Sequence, residues 1–403
     1  MTSPANRKRF VPFASGAMVV MAALLVAAQQ APAPARGRGL LPNTEHPVLA
    51  IGAPAPDFNL PGIDGKNHTL KEYASSKLLA IVFESNHCPV SQLYEGRIRQ
   101  LQTLYQAKGL AVVGINPNNP KAVRINELDH TDMGDSMAEM KIRAAYRHFT
   151  WPYLYDGETQ AVADKFGAIS TPHIFIFDEN RKLRYQGRID DNMLDTAATT
   201  HEARDAVDAL LAGKPVPVET TRAFGCSTKW LTKSTDVAAE WTRIVAEPVK
   251  LDMAGVDDLK KLRANPTKKM LVVNFWSSKC AACVAGFPDL QQSYWSFRIR
   301  EYTHVTVSLD DPKDSAAALK YLQEQHAGQT NLLATADLRS VQAAFGEKWT
   351  PGQPFVMMIQ PDGKVVYRKE GKVDSLDMRR TVMREMPDDR GFVGMVAYWH
   401  SKP

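Results

Sequence analysis

One segment of the chain occurs twice, and this internal repeat limits the possible folds more than any other feature. Residues 77–91, KLLAIVFESNHCPVS, align without a gap with residues 269–283, KMLVVNFWSSKCAAC, at an offset of 192. Each copy is an apolar run of strand length, a short polar turn, a cysteine, and then a helical pattern with one apolar face. The chain is therefore expected to use one structural unit twice.

The later part of each copy matches as well. The matched ranges are 171–178 with 353–359, and 182–185 with 364–367. In both, a proline (Pro172 or Pro354) opens an apolar strand, a turn follows, and a second strand returns. In the second copy, Asp311 and Pro312 are typical of a helix start. The order strand, helix, strand, helix, strand, strand, helix predicts an α/β fold, a mixed sheet flanked by helices, in two tandem domains.

Length and composition agree with two globular domains. The chain has 403 residues, of which 44% are hydrophobic and 23% charged. This balance excludes a disordered chain, a collagen-like repeat and a multi-span membrane protein. Without the N-terminal cations Arg7, Lys8 and Arg9, the formal charge falls from +5 to about +2. So small a charge, with no basic stripe interleaved with aromatic residues, gives no reason to expect a nucleic-acid partner.

The N-terminus predicts an export signal. The basic cluster at residues 7–9 precedes an apolar stretch at 19–28, and small residues at 31–33 offer a cleavage region. An uncleaved membrane anchor is the alternative. Either reading places the remainder outside the cytoplasm, in the periplasm or secreted. The predicted divisions are the signal or anchor at 1–35, a flexible lead-in at 36–47, a first domain at 48–228, a linker at 229–240, a second domain at 241–386 and a tail at 387–403.

The cysteine pair of the second copy has the placement of a redox centre. Cys280 and Cys283 follow a buried strand and begin a helix, where three residues of spacing bring both sulfurs to one face. The helix start and the neighbouring Lys279 favour the thiolate of Cys280, so Cys280 is predicted to attack and Cys283 to resolve. We do not expect a zinc site, because the sequence offers no second Cys/His pair with suitable spacing. We do not expect a purely structural disulfide either, because a bond that closes so short a loop adds little to the stability of the fold.

These residues resemble the thioredoxin fold, and residues 240–385 resemble its extracytoplasmic thiol–disulfide oxidoreductases, the TlpA/ResA-like group. The resemblance rests on VVNFWSSKCAAC, on Phe287-Pro288 and on Pro354. It implies that Pro354 is cis, lies beside the disulfide and shapes the groove for a substrate chain. It also implies protein or peptide disulfide substrates and an upstream thiol protein as electron donor. Lys279 and Gly286 depart from the tryptophan and glutamate common in that group, which bears on substrate choice and proton transfer.

The first copy keeps one cysteine of the pair. Cys88 occupies the attacking position, Ser91 replaces its partner, and His87 flanks it, so Cys88 is predicted to be either a second, monothiol-type centre or a structural remnant. Residues 48–228 resemble the redoxins related to alkyl hydroperoxide reductase and thiol-specific antioxidant proteins. The matching residues are Gly52–Phe58, Ser85–Pro89, Pro152–Asp156, Thr171-Pro172 and Gly225–Trp230. Cys226 is a candidate resolving residue, with a buried structural role as an equal alternative.

The predicted function is thiol–disulfide exchange by Cys280 and Cys283, with Cys88 passing electrons to or from them. The alternative is a thiol peroxidase centred on Cys88 and recycled by the C-terminal domain. Ser85 fits the peroxiredoxin pattern, but Ile81 replaces its proline, and Thr171-Pro172 stands where its arginine belongs. A non-enzymatic binding module or thiol chaperone is a third class. We expect no cofactor and no metal, since the spacing of the histidines suits no ligand set (His68, His130, His148 and His201).

Overall fold

The structure is a computed structural model that describes residues 45–389 and 391–401. The predicted export signal and most of the lead-in therefore lie outside the described residues. Among the residues that the structure describes, no helix combines the length and the apolar character needed to cross a bilayer.

The first domain is a five-stranded mixed sheet with helices packed on it. Its elements are β1 (Asn59–Pro61), β2 (Asn67–Thr69), β3 (Leu78–Phe83), α1 (Pro89–Tyr105), β4 (Leu110–Asn116), α2 (Met137–Arg147), β5 (Tyr153–Tyr155), α3 (Ala161–Phe166), β6 (Ser170–Thr171), β7 (His173–Phe177), β8 (Leu183–Gly187), α4 (Glu202–Leu211) and β9 (Cys226–Ser227). The sheet order is β5-β4-β3-β7-β8, with β3 parallel to β4 and antiparallel to β7.

The second domain repeats this plan with one more strand. Its elements are α5 (Ser234–Val245), β10 (Asp252–Ala254), α6 (Val256–Ala264), β11 (Met270–Trp276), α7 (Ala281–Phe297), β12 (Tyr302–Ser308), α8 (Ser315–Glu324), β13 (Thr330–Ala334), α9 (Leu338–Phe345), β14 (Phe355–Ile359), β15 (Val365–Glu370), α10 (Ser375–Glu385) and α11 (Met395–His400). The sheet order is β10-β13-β12-β11-β14-β15, with β11 parallel to β12 and antiparallel to β14.

The internal repeat corresponds to repeated structure. Helices α1 and α7 each have 17 residues and lie at the offset of 192, and β7 and β14 both begin directly after the proline of their copy. All six residues of β3 and all seven of β11 are buried. Central strands that are covered by helices on both faces consist of continuous apolar residues, so they can be recognised in the sequence. The predicted α/β class with two thioredoxin-like domains is confirmed.

The segment between the domains is more structured than the predicted linker. Helix α5 spans the predicted boundary at 240/241 and places Trp241 and Ile244 against Ile125 and Leu128 of the first domain. Trp241 also packs edge to face on Trp295, with 4.9 Å between the ring centroids. The apolar positions of α5 face both domains, which explains why the sequence shows no strong one-sided periodicity in this segment.

The predicted tail belongs to the interface between the domains. In α11, Tyr398 and Trp399 are buried against the methionine-rich core of the second domain. The Tyr398 hydroxyl also donates to Glu95 of α1 at 2.6 Å. Nearby, the Arg300 guanidinium donates to the carbonyl oxygen of Asp129 at 2.9 Å. These contacts hold the two domains as one compact unit.

Candidate active sites

The cysteine pair of the second domain lies where a buried strand turns into a helix. Cys280 is the N-cap of α7, and its sulfur accepts the backbone N–H of Cys283 at 3.1 Å. The two sulfurs are joined as a disulfide, 2.12 Å apart, and both residues are almost fully buried. A sulfur at this position faces the free N–H groups of the first helical turn, which stabilise negative charge.

The turn before Cys280 is held by a single carboxylate. Asp310, at the end of β12, accepts hydrogen bonds from the Ser277 hydroxyl at 2.7 Å and from the Ser278 backbone N–H at 2.9 Å. Burial opposes ionisation of Asp310, but these hydrogen bonds outweigh it and lower the pKa of Asp310. The charged carboxylate therefore sets the direction in which the chain enters α7.

The expectation that Pro354 is cis was wrong. In the described residues the cis peptide bond is Thr171-Pro172, and Gln353-Pro354 is trans. Pro354 still lies beside the disulfide, and the Cys280 sulfur is 3.2 Å from the carbonyl oxygen of Gly352. The segment between the glycine that ends the preceding helix and the proline is longer in the second copy (347–353) than in the first (168–171), and a different carbonyl faces the sulfur.

A cavity of about 460 Å³ lies behind the disulfide, and Cys283 and Pro354 are part of its wall. Gly286 also lines this cavity, and a Cβ added there would meet no atom within 4 Å. Gly286 therefore leaves open space at the position where the resemblance leads us to expect a glutamate. Asp289 and Lys372 are the charged residues of the lining.

The side chain of Lys279 forms an ion pair that does not involve the disulfide. Its ammonium pairs with Asp314, and its side chain is 68% exposed. An exposed pair of this kind contributes less than about 1 kcal/mol. We therefore expect Lys279→Gln to change the rate of disulfide reduction by less than about fivefold, measured with a peptide disulfide. A loss of tenfold or more would instead assign Lys279 a direct part in substrate binding.

Cys88 of the first domain has the same structural position but different surroundings. It is the N-cap of α1 and is fully buried. Its sulfur accepts the N–H groups of Ser91 and Cys226, each at 3.4 Å, and its thiol donates to the carbonyl oxygen of Thr171 at 3.1 Å. Burial opposes ionisation of Cys88. Interaction with the Cys226 thiol, the positive charge of His87 and the two N–H groups outweighs burial and lowers the pKa of Cys88 to about 6.

The structure brings Cys226 to Cys88. Strand β9 pairs antiparallel with β6, and this register sets Cys226 opposite Thr171. The backbones approach closely at Gly225, where an added Cβ would lie 2.0 Å from the Thr171 carbonyl oxygen. Interaction with the Cys88 side chain, together with burial, raises the pKa of Cys226 well above its ordinary value.

His87 has a buried partner that the sequence analysis missed. Its Nδ1 hydrogen-bonds to Asp135, which also accepts from the backbone N–H of Asn86 at 2.7 Å and from the Asn118 side chain at 3.0 Å. Burial disfavours the imidazolium, but the Asp135 carboxylate outweighs burial and raises the pKa of His87. The same interactions lower the pKa of Asp135 to about 2. Asp135 lies in an irregular segment, so no motif points to it.

The two cysteine centres lie apart. Helix α7 starts at Cys280 and, with 17 residues, is roughly 25 Å long. Ile299, just beyond its other end, lines a cavity shared with His87 and Cys226. Because exchange requires sulfurs in contact, this arrangement does not bring Cys88 and the Cys280/Cys283 disulfide together within one chain.

Two sheets of this topology, each with a cysteine at the strand-to-helix corner, define a thioredoxin-fold oxidoreductase. The chain belongs to the AhpC/TSA family, whose model matches residues 51–186 and 249–368.

The chain is also similar to individual proteins. The thiol-disulfide oxidoreductase ResA of Geobacillus thermodenitrificans is 24% identical over 143 residues, which cover 35% of this chain and 71% of ResA. A solved structure of an uncharacterized conserved protein from Geobacillus kaustophilus is 35% identical, with a TM-score of 0.40, and covers 45% of this chain and 92% of that one. A putative thiol:disulfide interchange protein DsbE from Chlorobium tepidum is 20% identical, with a TM-score of 0.31, over 41% of this chain and 97% of that one.

Proposed function

We propose that the protein is an extracytoplasmic thiol–disulfide oxidoreductase whose attacking residue is Cys280 and whose resolving residue is Cys283. The observation that carries the proposal is the disulfide at the first turn of α7, with the Cys283 N–H directed at the Cys280 sulfur at 3.1 Å. This hydrogen bond stabilises a thiolate on Cys280 rather than on Cys283. The predicted export signal and the likeness to ResA support the location and the reaction class.

The reaction is two successive exchanges. The Cys280 thiolate attacks one sulfur of a substrate disulfide, the substrate S–S bond breaks, and the other substrate sulfur leaves as a thiolate that takes up a proton. Cys283 then loses its proton and attacks Cys280, which releases the second substrate thiol and forms the disulfide seen here. The substrate gains two electrons, and a thiol protein upstream restores the pair.

The groove for the substrate lies between Cys280 and the loop that precedes Pro354. The carbonyl oxygen of Gly352 points to the Cys280 sulfur, and no described strand pairs with Gly352 or Gln353. The Gln353 N–H already donates to the Thr350 carbonyl oxygen at 3.2 Å, but a substrate chain can hydrogen-bond the remaining backbone groups there without displacing a strand of the protein. This favours proteins or peptides as substrates of the second domain.

Reduction of insulin or of a peptide disulfide tests the assignment. We expect Cys280→Ser to reduce the rate to the uncatalysed background, and Cys283→Ser to accumulate a mixed disulfide through Cys280 that mass spectrometry identifies. Cys88→Ser is the matched control, because its thiol is buried in the other domain. Full activity of Cys280→Ser, or a mixed disulfide on another cysteine, would refute the proposal.

The alternative of a thiol peroxidase centred on Cys88 stays a prediction, with less support. The Ser85 hydroxyl is hydrogen-bonded to Thr171 rather than to Cys88, and no arginine of the described residues hydrogen-bonds the Cys88 sulfur. A peroxide would therefore meet neither the usual polarising group nor an exposed sulfur. Peroxide consumption that vanishes in Cys88→Ser would restore this alternative.

A further inference from the structure

We propose that Cys88 and Cys226 form a second redox pair, and that this pair exchanges with a low-molecular-weight thiol or its disulfide through the cavity between the two domains. The proposal concerns a different site from Cys280 and Cys283. It rests on the register of β9, on the cavity that Cys226 lines, and on a buried donor in that cavity that has no partner.

The pair is already assembled. Because Cys226 lies opposite Thr171 in the β6–β9 ladder, its N–H reaches the Cys88 sulfur at 3.4 Å, and the Cys88 thiol is 3.1 Å from the Thr171 carbonyl oxygen. Both cysteines carry free thiols in this structure. A disulfide between them requires the Cys226 side chain to bring its sulfur into contact with the Cys88 sulfur, and the Cys226 backbone N–H already lies 3.4 Å from that sulfur.

The chain's own strand excludes a protein substrate from the first domain. Residues 226–227 occupy the free edge of β6, beside the proline that follows Thr171. In the second domain no described strand occupies the corresponding edge near Pro354. An incoming polypeptide could not add a strand at β6 unless β9 left, so the occupant of this site has to be small.

The cavity beside Cys226 has the size for such an occupant. Its volume is about 320 Å³, and its wall includes His87 and Lys229 from the first domain and Ile299 and Phe392 from the second. Cys226 is partly buried, whereas Cys88 is fully buried. Ile299 is 43% exposed, so the cavity reaches solvent at this residue. A small molecule that enters there meets Cys226 before Cys88.

One polar group in the cavity lacks a partner. His87 is 1% exposed, and although its Nδ1 is bound to Asp135, its Nε2 is buried and has no hydrogen-bond partner. A buried donor is expected to find an acceptor, and the thiolate or carboxylate of a small thiol supplies one. The other charged residues of the wall are the cations Arg124 and Lys229 and the acids Glu127 and Asp129, and Lys229 pairs with Glu127 at 2.6 Å.

The chemistry follows from the different exposure of the two sulfurs. In the oxidised pair, a small thiolate attacks the accessible Cys226 sulfur, the Cys88–Cys226 bond breaks, and Cys88 leaves as a thiolate stabilised by His87 and backbone N–H groups. A second small thiolate then attacks the mixed disulfide at the small molecule's sulfur and releases Cys226. In total, two small thiols become one small disulfide and two protein thiols form. The reverse sequence oxidises the pair.

The experiment uses the full chain with Cys280→Ser and Cys283→Ser, so the reaction of the second domain cannot contribute. After treatment with oxidised glutathione, alkylation and mass spectrometry should show Cys88 and Cys226 joined. Adding Cys88→Ser to this background should leave Cys226 as a mixed disulfide with one glutathione. Adding Cys226→Ser should leave Cys88 unmodified, because Cys88 is buried. Free thiols on both residues after treatment would overturn the proposal.

Two further variants test the route and the size limit. Ile299→Trp narrows the cavity mouth and should slow oxidation by glutathione disulfide about tenfold or more, whereas Ile299→Val keeps the opening and should not. Reduction of the formed disulfide should be faster with reduced glutathione than with an equal thiol concentration of a protein dithiol such as thioredoxin. Equal rates for the two Ile299 variants, or faster reduction by the protein, would show that the cavity is not the route.

Discussion

Replacing Arg143 by methionine is expected to destabilise the protein by about 3 kcal/mol, because it removes a buried guanidinium from an ion network in which Asp132 then keeps only Arg380 as its partner. Arg143 is fully buried, and its guanidinium donates to Asp132 at 2.9 Å and to the Tyr398 hydroxyl at 3.0 Å. The same group is close enough to Glu95 to oppose the effect of burial on the pKa of that residue. One side chain thus neutralises acids of the first domain and holds the C-terminal helix of the second.

Urea unfolding at neutral pH measures this effect, with the midpoint and slope compared to the wild type. Lys260→Met is the matched control, since it removes a cation from an exposed pair with Asp257 and should change stability by less than about 1 kcal/mol. If Arg143→Met also separates the domains, its unfolding will show two transitions. A change for Arg143→Met as small as that of the control would show that the buried network does not stabilise the interface.

The elements that carry the cysteines could be predicted from the sequence because their signals are local. Strands β3 and β11 are continuous apolar runs buried on both faces, and each ends in a turn that leads to a cysteine at a helix start. The helices that follow show one apolar face, so the two copies could be aligned before any contact was known. The class of chemistry follows from this local arrangement.

The pairing of Cys88 with Cys226 could not be predicted, because it depends on a ladder of two residues between segments far apart in the chain. A two-residue strand has no periodicity, and sequence separation carries no information on distance. Asp135 and Glu95 could not be predicted for a related reason. A buried acid is recognised by the partner that neutralises it, and that partner lies far away in the sequence. The trans form of Gln353-Pro354 shows that even a matched motif does not determine the loop around it.

Replacing Glu84 by glutamine is expected to stabilise the protein at neutral pH, and the gain should disappear in acid. Glu84 lies at the end of β3, is 2% exposed, and accepts a hydrogen bond from the Trp151 indole at 2.6 Å. Burial raises the pKa of Glu84 to about 8, against the effect of that hydrogen bond. Between the ordinary carboxyl pKa and about 8, the folded protein therefore keeps a proton that the unfolded chain releases.

The direction in which stability changes with pH follows from this difference in the number of bound protons. Where the folded state binds more protons than the unfolded state, stability falls as pH rises, by about 1.4 kcal/mol per pH unit for one group. Glutamine stays neutral at every pH and its side-chain oxygen can still accept from Trp151, so Glu84→Gln removes this loss. We expect a gain of about 3 kcal/mol at pH 7 and almost none at pH 4, measured by urea unfolding at both. Equal effects at the two pH values would mean that Glu84 is ionised in the fold, in contact with a cation or water that balances its charge.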